Sequence, residues 1–232
     1  RKQGFNFARL MVARAGLPDS VCGMTVNRFC SSGLQAIALA ASQIKCGIAD
    51  VIVAGGVESM TACPVNLDIS DTFDSELLAM RKEEYIPMGL TAENVAERYG
   101  VSREDMDAYA LQSQLRAAAA IKEGKFKDEI IPVTVKGRKG DVVVDTDEYP
   151  RETSLEKLAA LKPSFKEGGR VTAGNASGMN DASSGVIVMS AEAAEAAGCK
   201  PLCRILSVAT AGVEPEVMGI GPIPAAQKAM AR

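Results

Sequence analysis

The residues with the clearest potential for chemistry surround one cysteine, Cys30. An apolar segment, residues 21–26, is predicted to form a strand before it, and an alanine-rich helix is predicted from about Ser31 to Lys45. Cys30 would then lie at a helix N-terminus, where unpaired N–H groups and the helix dipole favour an anion such as a thiolate. The small residues that follow leave room for a substrate to approach the backbone. The position therefore predicts a nucleophile, and leaves a small buried thiol as an equal alternative.

Length and composition narrow the function classes. The chain has 232 residues, of which 47% are hydrophobic and 24% charged, with a net charge of -3. This is enough for a substantial core in one large or two modest domains. The charge balance predicts neither a nucleic-acid partner nor an anionic membrane surface. No run of eighteen apolar residues occurs, so no membrane span is predicted.

Cysteine and histidine usage indicates free thiols. The sequence has six cysteines without a CxxC pair, and it has no histidine that could complete a mixed zinc site. We therefore expect neither a disulfide framework nor a metal, and a reducing compartment. That is the cytoplasm, or a mitochondrion or peroxisome in a eukaryote. The six positions are Cys22, Cys30, Cys46, Cys63, Cys199 and Cys203.

Hydrophobic periodicity predicts alternating strands and helices in the first and last parts of the chain. A helix is expected over residues 5–15, and β-branched runs predict buried strands at 50–56, 186–190 and 202–211. The first strand run ends in Gly55 and Gly56, which alone would indicate a tight turn. Strand, helix and strand within some thirty residues predict a parallel sheet covered by helices. The helix after Cys30 is expected to bury one apolar side, formed by Leu34, Ile37, Ala38, Ala41 and Ile44.

The middle of the chain, from about residue 62 to 169, is more charged and predominantly helical. Thr91 is predicted as the N-cap of one helix, with Asn94 in the capping-box position, and Ser102 as the cap of a second helix that runs to about Gly124. Residues 129–135 and 141–145 predict a small hairpin around a basic turn. The second helix is expected to bury Met106, Tyr109, Ala110, Leu115 and Ala119.

Several sequence blocks resemble the thiolases. Asn27–Ala36 resembles their nucleophile segment, in which the cysteine matching Cys30 carries the acyl group. Gly55–Thr61 resembles the segment that lines the active-site floor, and Met88–Tyr99 also matches the family. Thr172–Gly185 resembles the signature beside the coenzyme A (CoA) pantetheine arm. The resemblance extends in order from Phe5 to Arg232.

The resemblance implies the fold and its division. The fold would be α/β with a thiolase-like layered architecture: a mixed, mostly parallel sheet with helices on both faces, and a helical loop-domain insertion. Residues 1–61 and 170–198 would form an incomplete N-terminal domain, and 62–169 the loop subdomain over the CoA groove. Residues 199–232 would begin a truncated C-terminal domain.

The resemblance also implies site residues. Cys30 would be the catalytic nucleophile, with its backbone N–H in an oxyanion hole. CoA would be a co-substrate, and no tightly bound cofactor is implied. Arg151 would meet its nucleotide end, although a solvated surface arginine is the alternative. The positions near CoA in the family match Met88, Arg151, Phe165, Ala173 and Ser177.

The resemblance implies thiolytic cleavage of 3-ketoacyl-CoA by CoA. Some acetoacetyl-CoA thiolases have a histidine at the position of Pro87. The proline therefore favours a resemblance to the degradative enzymes of fatty acid β-oxidation. The alternatives are a biosynthetic acetyl-CoA C-acetyltransferase and a non-catalytic acyl-CoA binder. The family's Asn-Glu-Ala-Phe, Gly-His-Pro and Cys-x-Gly segments do not occur in the sequence. We therefore expect an inactive internal piece of a longer enzyme, whose parent forms a homodimer or homotetramer.

Overall fold

The computed structural model describes residues 6–62 and 73–232. Within these ranges α-helices and short strands alternate, with 3₁₀ turns at Phe29–Ser31, Lys82–Tyr85 and Pro215–Ile220. The strands are β1 (Val51–Glu58), β2 (Val133–Val135), β3 (Val142–Val144) and β4 (Ala182–Met189). The helices are α1 (Phe7–Arg14), α2 (Ser32–Lys45), α3 (Ser75–Met80), α4 (Met88–Arg98), α5 (Arg103–Lys122), α6 (Leu155–Ala159), α7 (Ala191–Ala196) and α8 (Pro222–Met230).

These elements fall into two compact units. Of the described residues, the first unit contains 6–62, 179–210 and 227–232, and the second contains 73–178 and 211–226. The division into an N-terminal domain, a loop subdomain and the start of a C-terminal domain stays a prediction.

In the first unit, β1 and β4 form an antiparallel pair. The register runs from Val51 opposite Met189 to Glu58 opposite Ala182. The two glycines predicted to end β1 instead lie inside it, with Gly55 opposite Gly185. A Cβ on Gly55 would lie 2.5 Å from the Ser184 carbonyl oxygen, so the close approach of the two strands requires glycine at this position.

Helix α2 packs on both of these strands. Its most buried residue is Ala40, and Ala54 of β1 is also buried. Leu34, predicted to face inward, is instead 67% exposed. It lies in the first turn of the helix, next to Gly33, whose Cα would lie 3.6 Å from a Cβ built on Gly56 of β1.

Two predicted strands in this unit are wrong. Residues 21–26, which the structure describes as irregular, lie against α1: the Asn6 side chain donates to the Gly23 carbonyl at 2.8 Å, and the amide of Ala8 donates to Thr25 Oγ1 at 2.9 Å. Residues 202–211 are also irregular, and Ser207 Oγ donates to the Ala229 carbonyl at 2.6 Å. Both segments direct hydrogen bonds to helices rather than to a neighbouring strand. The two strand pairs found in the described residues are antiparallel, whereas a parallel sheet was predicted.

In the second unit, α4 begins three residues before the predicted N-cap. Pro87 is the N-cap, and Thr91 lies inside the helix with its hydroxyl donating to the Met88 carbonyl at 2.8 Å. Thr91 is 4% exposed, because its hydroxyl is satisfied within the helix and can be buried. Asn94 is not a cap either; its side chain donates to the Glu216 carbonyl at 3.1 Å.

The start of α5 is as predicted, whereas its buried face is not. Ser102 and Asp105 form a reciprocal capping box. The buried residue of the helix is Asp107, while Tyr109 and Leu115, predicted to face inward, are 75% and 60% exposed. The run of alanines in this helix gives a weak apolar stripe, so the polar contacts of Asp107 decide which face turns inward.

The predicted hairpin forms with shorter strands than expected. Val133 of β2 lies opposite Val144 of β3 in an antiparallel pair, and the basic segment 136–140 connects them. In the described part of the chain, every helix is too short or too polar to cross a membrane.

Candidate active site

The cysteine predicted as a nucleophile lies in a strained turn. Cys30 is the middle residue of the 3₁₀ turn Phe29–Ser31, directly before α2. Phe29 has φ +45°, and left-handed conformations of non-glycine residues cost about 1–3 kcal/mol. The Phe29 amide donates to Asn27 Oδ1 at 2.8 Å, which helps to hold this conformation. The residue directly before Cys30 is therefore held in a conformation that non-glycine residues rarely adopt.

Two serines complete the turn. Ser32 Oγ accepts from the Arg28 amide at 2.8 Å and donates to the Phe29 carbonyl at 2.6 Å, and Ser31 Oγ donates to the Arg28 carbonyl at 3.0 Å. The sequence suggested that these serines were small enough for a substrate to approach. Their bonding role could have been inferred, because Ser and Asn commonly bond to nearby backbone at helix starts.

The thiol of Cys30 is accessible to a ligand. The side chain is exposed, and among the residues that the structure describes Cys22, Cys46, Cys199 and Cys203 are also exposed and free. Cys63 lies outside the described residues. An exposed thiol at the start of a helix can attack an electrophilic carbon such as a carbonyl.

The five residues predicted to contact CoA lie in the second unit. Met88 is the first residue of α4 and is 62% exposed. The Phe165 ring packs directly against Gly89, and a Cβ built on Gly89 would overlap that ring. The structure therefore places Phe165 beside the residue that follows Met88.

The other three predicted CoA residues lie on loops. Ala173 and Ser177 are exposed within the segment 172–177. Arg151 is exposed, and its amide donates to Gln114 Oε1 at 2.9 Å. A Cβ on Gly178 would lie 2.5 Å from the Tyr149 ring, so the end of this segment lies against the loop that carries Arg151.

Buried polar side chains, which sequence reasoning missed, hold the segment 172–177. The Asn175 side-chain amide donates to Asp107 Oδ1 and to the Arg170 carbonyl, each at 3.0 Å, and its oxygen accepts from the Thr172 amide at 2.8 Å. Asp107 also accepts from Arg103 Nε at 2.7 Å. Both Thr172 and Asp107 are almost fully buried. Satisfied networks of this kind fix one conformation.

A second buried carboxylate, Glu93 on α4, was also missed. It is 4% exposed. The available signal was its position three residues from both Leu90 and Ala96, which places a charge on the apolar side of an amphipathic helix. A buried charge requires partners.

A shallow depression of about 360 Å³ also lies in the second unit. The predicted CoA residues do not line it; the lining residues are Val101, Asp105, Met106, Tyr109 and Asn175. Among the residues that the structure describes, no group of three or more acidic, cysteine or histidine side chains is placed to hold a metal ion.

Comparison with known proteins gives a consistent result along the chain. Residues 1–192 match the family model described as the thiolase N-terminal domain. An acetyl-CoA acetyltransferase of Syntrophomonas wolfei is 48% identical over 240 residues, which cover 98% of this chain and 61% of that relative. A beta-ketoadipyl-CoA thiolase of Pseudomonas aeruginosa is 47% identical, with coverage of 98% and 61%. The chain thus spans about three fifths of the length of these relatives.

Solved structures show the same similarity. The acetyl-CoA acetyltransferase structure from Syntrophomonas wolfei superposes with a TM-score of 0.86 at 38% identity, covering 99% of this chain and 61% of that one. The structure of human mitochondrial 3-ketoacyl-CoA thiolase superposes with a TM-score of 0.85 at 38% identity, covering 100% of this chain and 62% of that one. The α/β architecture expected from the sequence resemblance is confirmed.

Proposed function

Because the chain belongs to the thiolase family, we propose that the full-length protein is an acyltransferase that uses Cys30 as its nucleophile. It would cleave 3-ketoacyl-CoA with free CoA, and release acetyl-CoA and a shortened acyl-CoA. The observation that supports this most directly is the exposed Cys30 thiol in a strained turn at the start of α2.

The chemistry proceeds in two transfers. The Cys30 thiolate attacks the 3-keto carbon, and the bond between the α-carbon and that carbon breaks. The electron pair stays on the α-carbon, which takes a proton to give acetyl-CoA, and the acyl group remains as a thioester on Cys30. The CoA thiol then loses a proton and attacks the thioester, which releases acyl-CoA and the Cys30 thiolate. The Cys30 N–H would stabilise one carbonyl oxygen as negative charge develops there.

CoA would bind along the second unit. The exposed Met88 and Phe165 side chains would pack on adenine or pantetheine, and Ala173 and Ser177 would lie beside the pantetheine arm. Arg151 would pair with the phosphates, for which a guanidinium is well suited. CoA is a co-substrate in this proposal and not a resident cofactor.

A second candidate function is the reverse reaction, in which two acetyl-CoA molecules condense to acetoacetyl-CoA. The acetyl-CoA acetyltransferase name of the Syntrophomonas wolfei relative favours it. Pro87 favours the degradative direction within β-oxidation. Rates of the full-length protein with acetoacetyl-CoA and with longer 3-ketoacyl-CoA substrates separate the two, since a condensing enzyme is expected to reject the longer chains.

Replacement of Cys30 tests the proposal. In the full-length protein, Cys30→Ala is expected to lower the rate of thiolysis by roughly 1,000-fold or more, because the acyl group then has no acceptor. Consumption of 3-ketoacyl-CoA in the presence of CoA measures this rate. Cys46→Ser is the matched control, since Cys46 is an exposed thiol at the opposite end of α2.

Three outcomes of that experiment are informative. Loss of activity in Cys30→Ala alone supports the nucleophile. Wild-type activity in Cys30→Ala rules Cys30 out. Wild-type protein that binds CoA without turnover indicates the alternative of a non-catalytic acyl-CoA binder.

We further propose that the full-length protein forms a homodimer or homotetramer and acts in the cytoplasm, a location that fits its bacterial relatives.

A further inference from the structure

Glu93 is a buried carboxylate that the proposed reaction does not use. Its Oε1 accepts from the amides of Arg170 and Val171 at 2.8 and 2.7 Å, and its Oε2 accepts from the Arg170 amide at 2.9 Å. A Cβ on Gly169 would lie 2.5 Å from Oε1, so the backbone approaches the carboxylate closely because residue 169 is glycine. Hydrogen bonds to an ionised, buried acceptor are among the stronger ones in proteins.

These hydrogen bonds hold the backbone directly before the segment 172–177. Residues 170 and 171 directly precede it, and Val171 and Thr172 are themselves buried. Within the segment, the Asn175 side chain bonds to the Arg170 carbonyl and the Thr172 amide, and the Gly174 amide donates to Thr172 Oγ1 at 3.1 Å. The segment therefore adopts one conformation, which leaves Ala173 and Ser177 exposed.

One helix thus connects two parts of the proposed CoA site. Glu93 lies on α4, whose first residue is Met88, and Gly89 of the same helix supports the Phe165 ring. Since Glu93 spans 77 residues of sequence to reach Arg170, it sets where the segment 172–177 lies relative to Met88 and Phe165.

We propose that Glu93 is a positioning residue for CoA: by holding the amides of Arg170 and Val171 it places Ala173 and Ser177 for contact with the pantetheine arm. The inference rests on the proposed function, which supplies CoA as the ligand. Glu93 itself does not touch CoA or the reacting atoms.

The test is Glu93→Gln in the full-length protein. Glutamine keeps the size and shape of the side chain but turns one acceptor oxygen into an N–H donor, which faces a backbone N–H and cannot accept from it. We expect the KM for CoA and the Kd for CoA by calorimetry to rise about tenfold, with kcat changed by less than twofold. A tenfold change corresponds to ~1.4 kcal/mol.

Thr91→Val is the matched control. Thr91 lies on the same helix and is as buried as Glu93, but its hydroxyl bonds inside the helix, to the Met88 carbonyl. This variant is expected to lower the melting temperature without changing the KM for CoA. A merely structural role of Glu93 would move the melting temperature of both variants and leave their KM values alike.

The outcomes separate the inference from the proposed function. Weaker CoA binding in Glu93→Gln, with kcat and the Thr91→Val control unaffected, supports the positioning role. CoA binding by Glu93→Gln equal to that of wild type overturns it while the proposed function stands. If the wild-type protein does not bind CoA, the proposed function itself fails. If Glu93→Gln does not fold, Gly169→Ala, whose Cβ would lie 2.5 Å from Glu93 Oε1 and 2.8 Å from the Lys166 carbonyl oxygen, is expected to raise the KM for CoA in the same way.

Discussion

At the scale of single residues, two backbone positions control where side chains with proposed roles lie. Phe29 has a left-handed conformation and precedes Cys30, the proposed nucleophile, and Gly89 lacks the Cβ that would displace the Phe165 ring. In both cases the residue proposed to act on a substrate is adjacent to, or in contact with, the residue that sets the geometry. Substitutions at such positions are expected to alter function more than stability.

Replacement of Gly89 tests this at the proposed CoA site. Gly89→Ala is expected to displace the Phe165 ring and to weaken CoA binding about fivefold, since a displaced aromatic contact is worth about 1 kcal/mol. Phe165 is half-exposed, so its ring can turn away without unfolding the protein. Calorimetric titration of the full-length protein with CoA measures the effect.

The control for Gly89 is Gly219→Ala. A Cβ at Gly219 would lie 3.7 Å from Val95 Cγ2, which is an ordinary contact. This variant is expected to bind CoA as the wild type does. Equal affinities of Gly89→Ala and wild type would show that the Phe165 ring contributes nothing to CoA binding.

At the level of secondary-structure elements, side-chain carboxylates connect segments that are not joined by the backbone hydrogen bonds between strands. Asp181, directly before β4, accepts from the Thr61 amide at 2.8 Å and from Ser59 Oγ at 3.0 Å, so it holds the chain that follows β1. The Thr61 amide is the main cause that lowers the pKa of Asp181, and the Ser59 hydroxyl adds to it. The Ser102 hydroxyl likewise lowers the pKa of Asp105 at the start of α5.

The lowered pKa of Asp181 predicts a pH-dependent contribution to stability. A carboxyl whose pKa is lower in the folded state stabilises the fold above its unfolded pKa, about 3.9, and this contribution is lost as the pH falls through the folded value. Asp181→Asn is therefore expected to lower the urea midpoint at pH 7, and the difference from wild type should shrink below about pH 4. Urea unfolding of the full-length protein at pH 7 and pH 3.5 measures it.

Asp128→Asn serves as the comparison for Asp181. Asp128 is an exposed carboxyl on the segment after α5. Its replacement is expected to leave the urea midpoint unchanged at both pH values. A difference between Asp181→Asn and wild type that is the same at pH 7 and pH 3.5 would contradict the role of the ionised carboxylate.

At the level of the whole molecule, the chain contains the proposed nucleophile and the residues proposed to bind CoA, and we expect the proposed reaction to need further groups. It has no histidine, and it spans about three fifths of the length of its relatives. Thiolysis also needs a base for the nucleophile and an acid for the α-carbon. Lysine and tyrosine are poor bases near neutral pH without a specific shift in pKa.

The 232-residue chain alone is therefore expected to show no thiolysis above the background rate. The assay is consumption of 3-ketoacyl-CoA with CoA, with the full-length protein measured alongside and circular dichroism to establish that the shorter chain is folded. Turnover by the folded short chain that disappears in its Cys30→Ala variant would contradict this expectation.

Features that depend on local interactions and on family membership could be predicted from the amino-acid sequence. Helices α1 and α2, strand β1, the hairpin of β2 and β3 and the Ser102 cap follow from side-chain period, turn residues and contacts three or four residues apart. The position of Cys30 at the start of α2 follows from the same pattern. The fold class could be predicted from the resemblance to the family, because the similarity extends along the chain.

Which segments pair and which polar groups are buried depends instead on contacts between residues that are far apart in the sequence. Residues 21–26 have the composition of a strand, but a strand also needs a partner, and their hydrogen bonds go to α1. Glu93 and Asp107 look like solvated charges in sequence, yet partners 77 and 68 residues away, Arg170 and Asn175, allow them to be buried. Burial of a charge depends on donors brought close in space. Periodicity along α4 places Glu93 on the apolar side of the helix, but it does not show which distant amides reach the carboxylate.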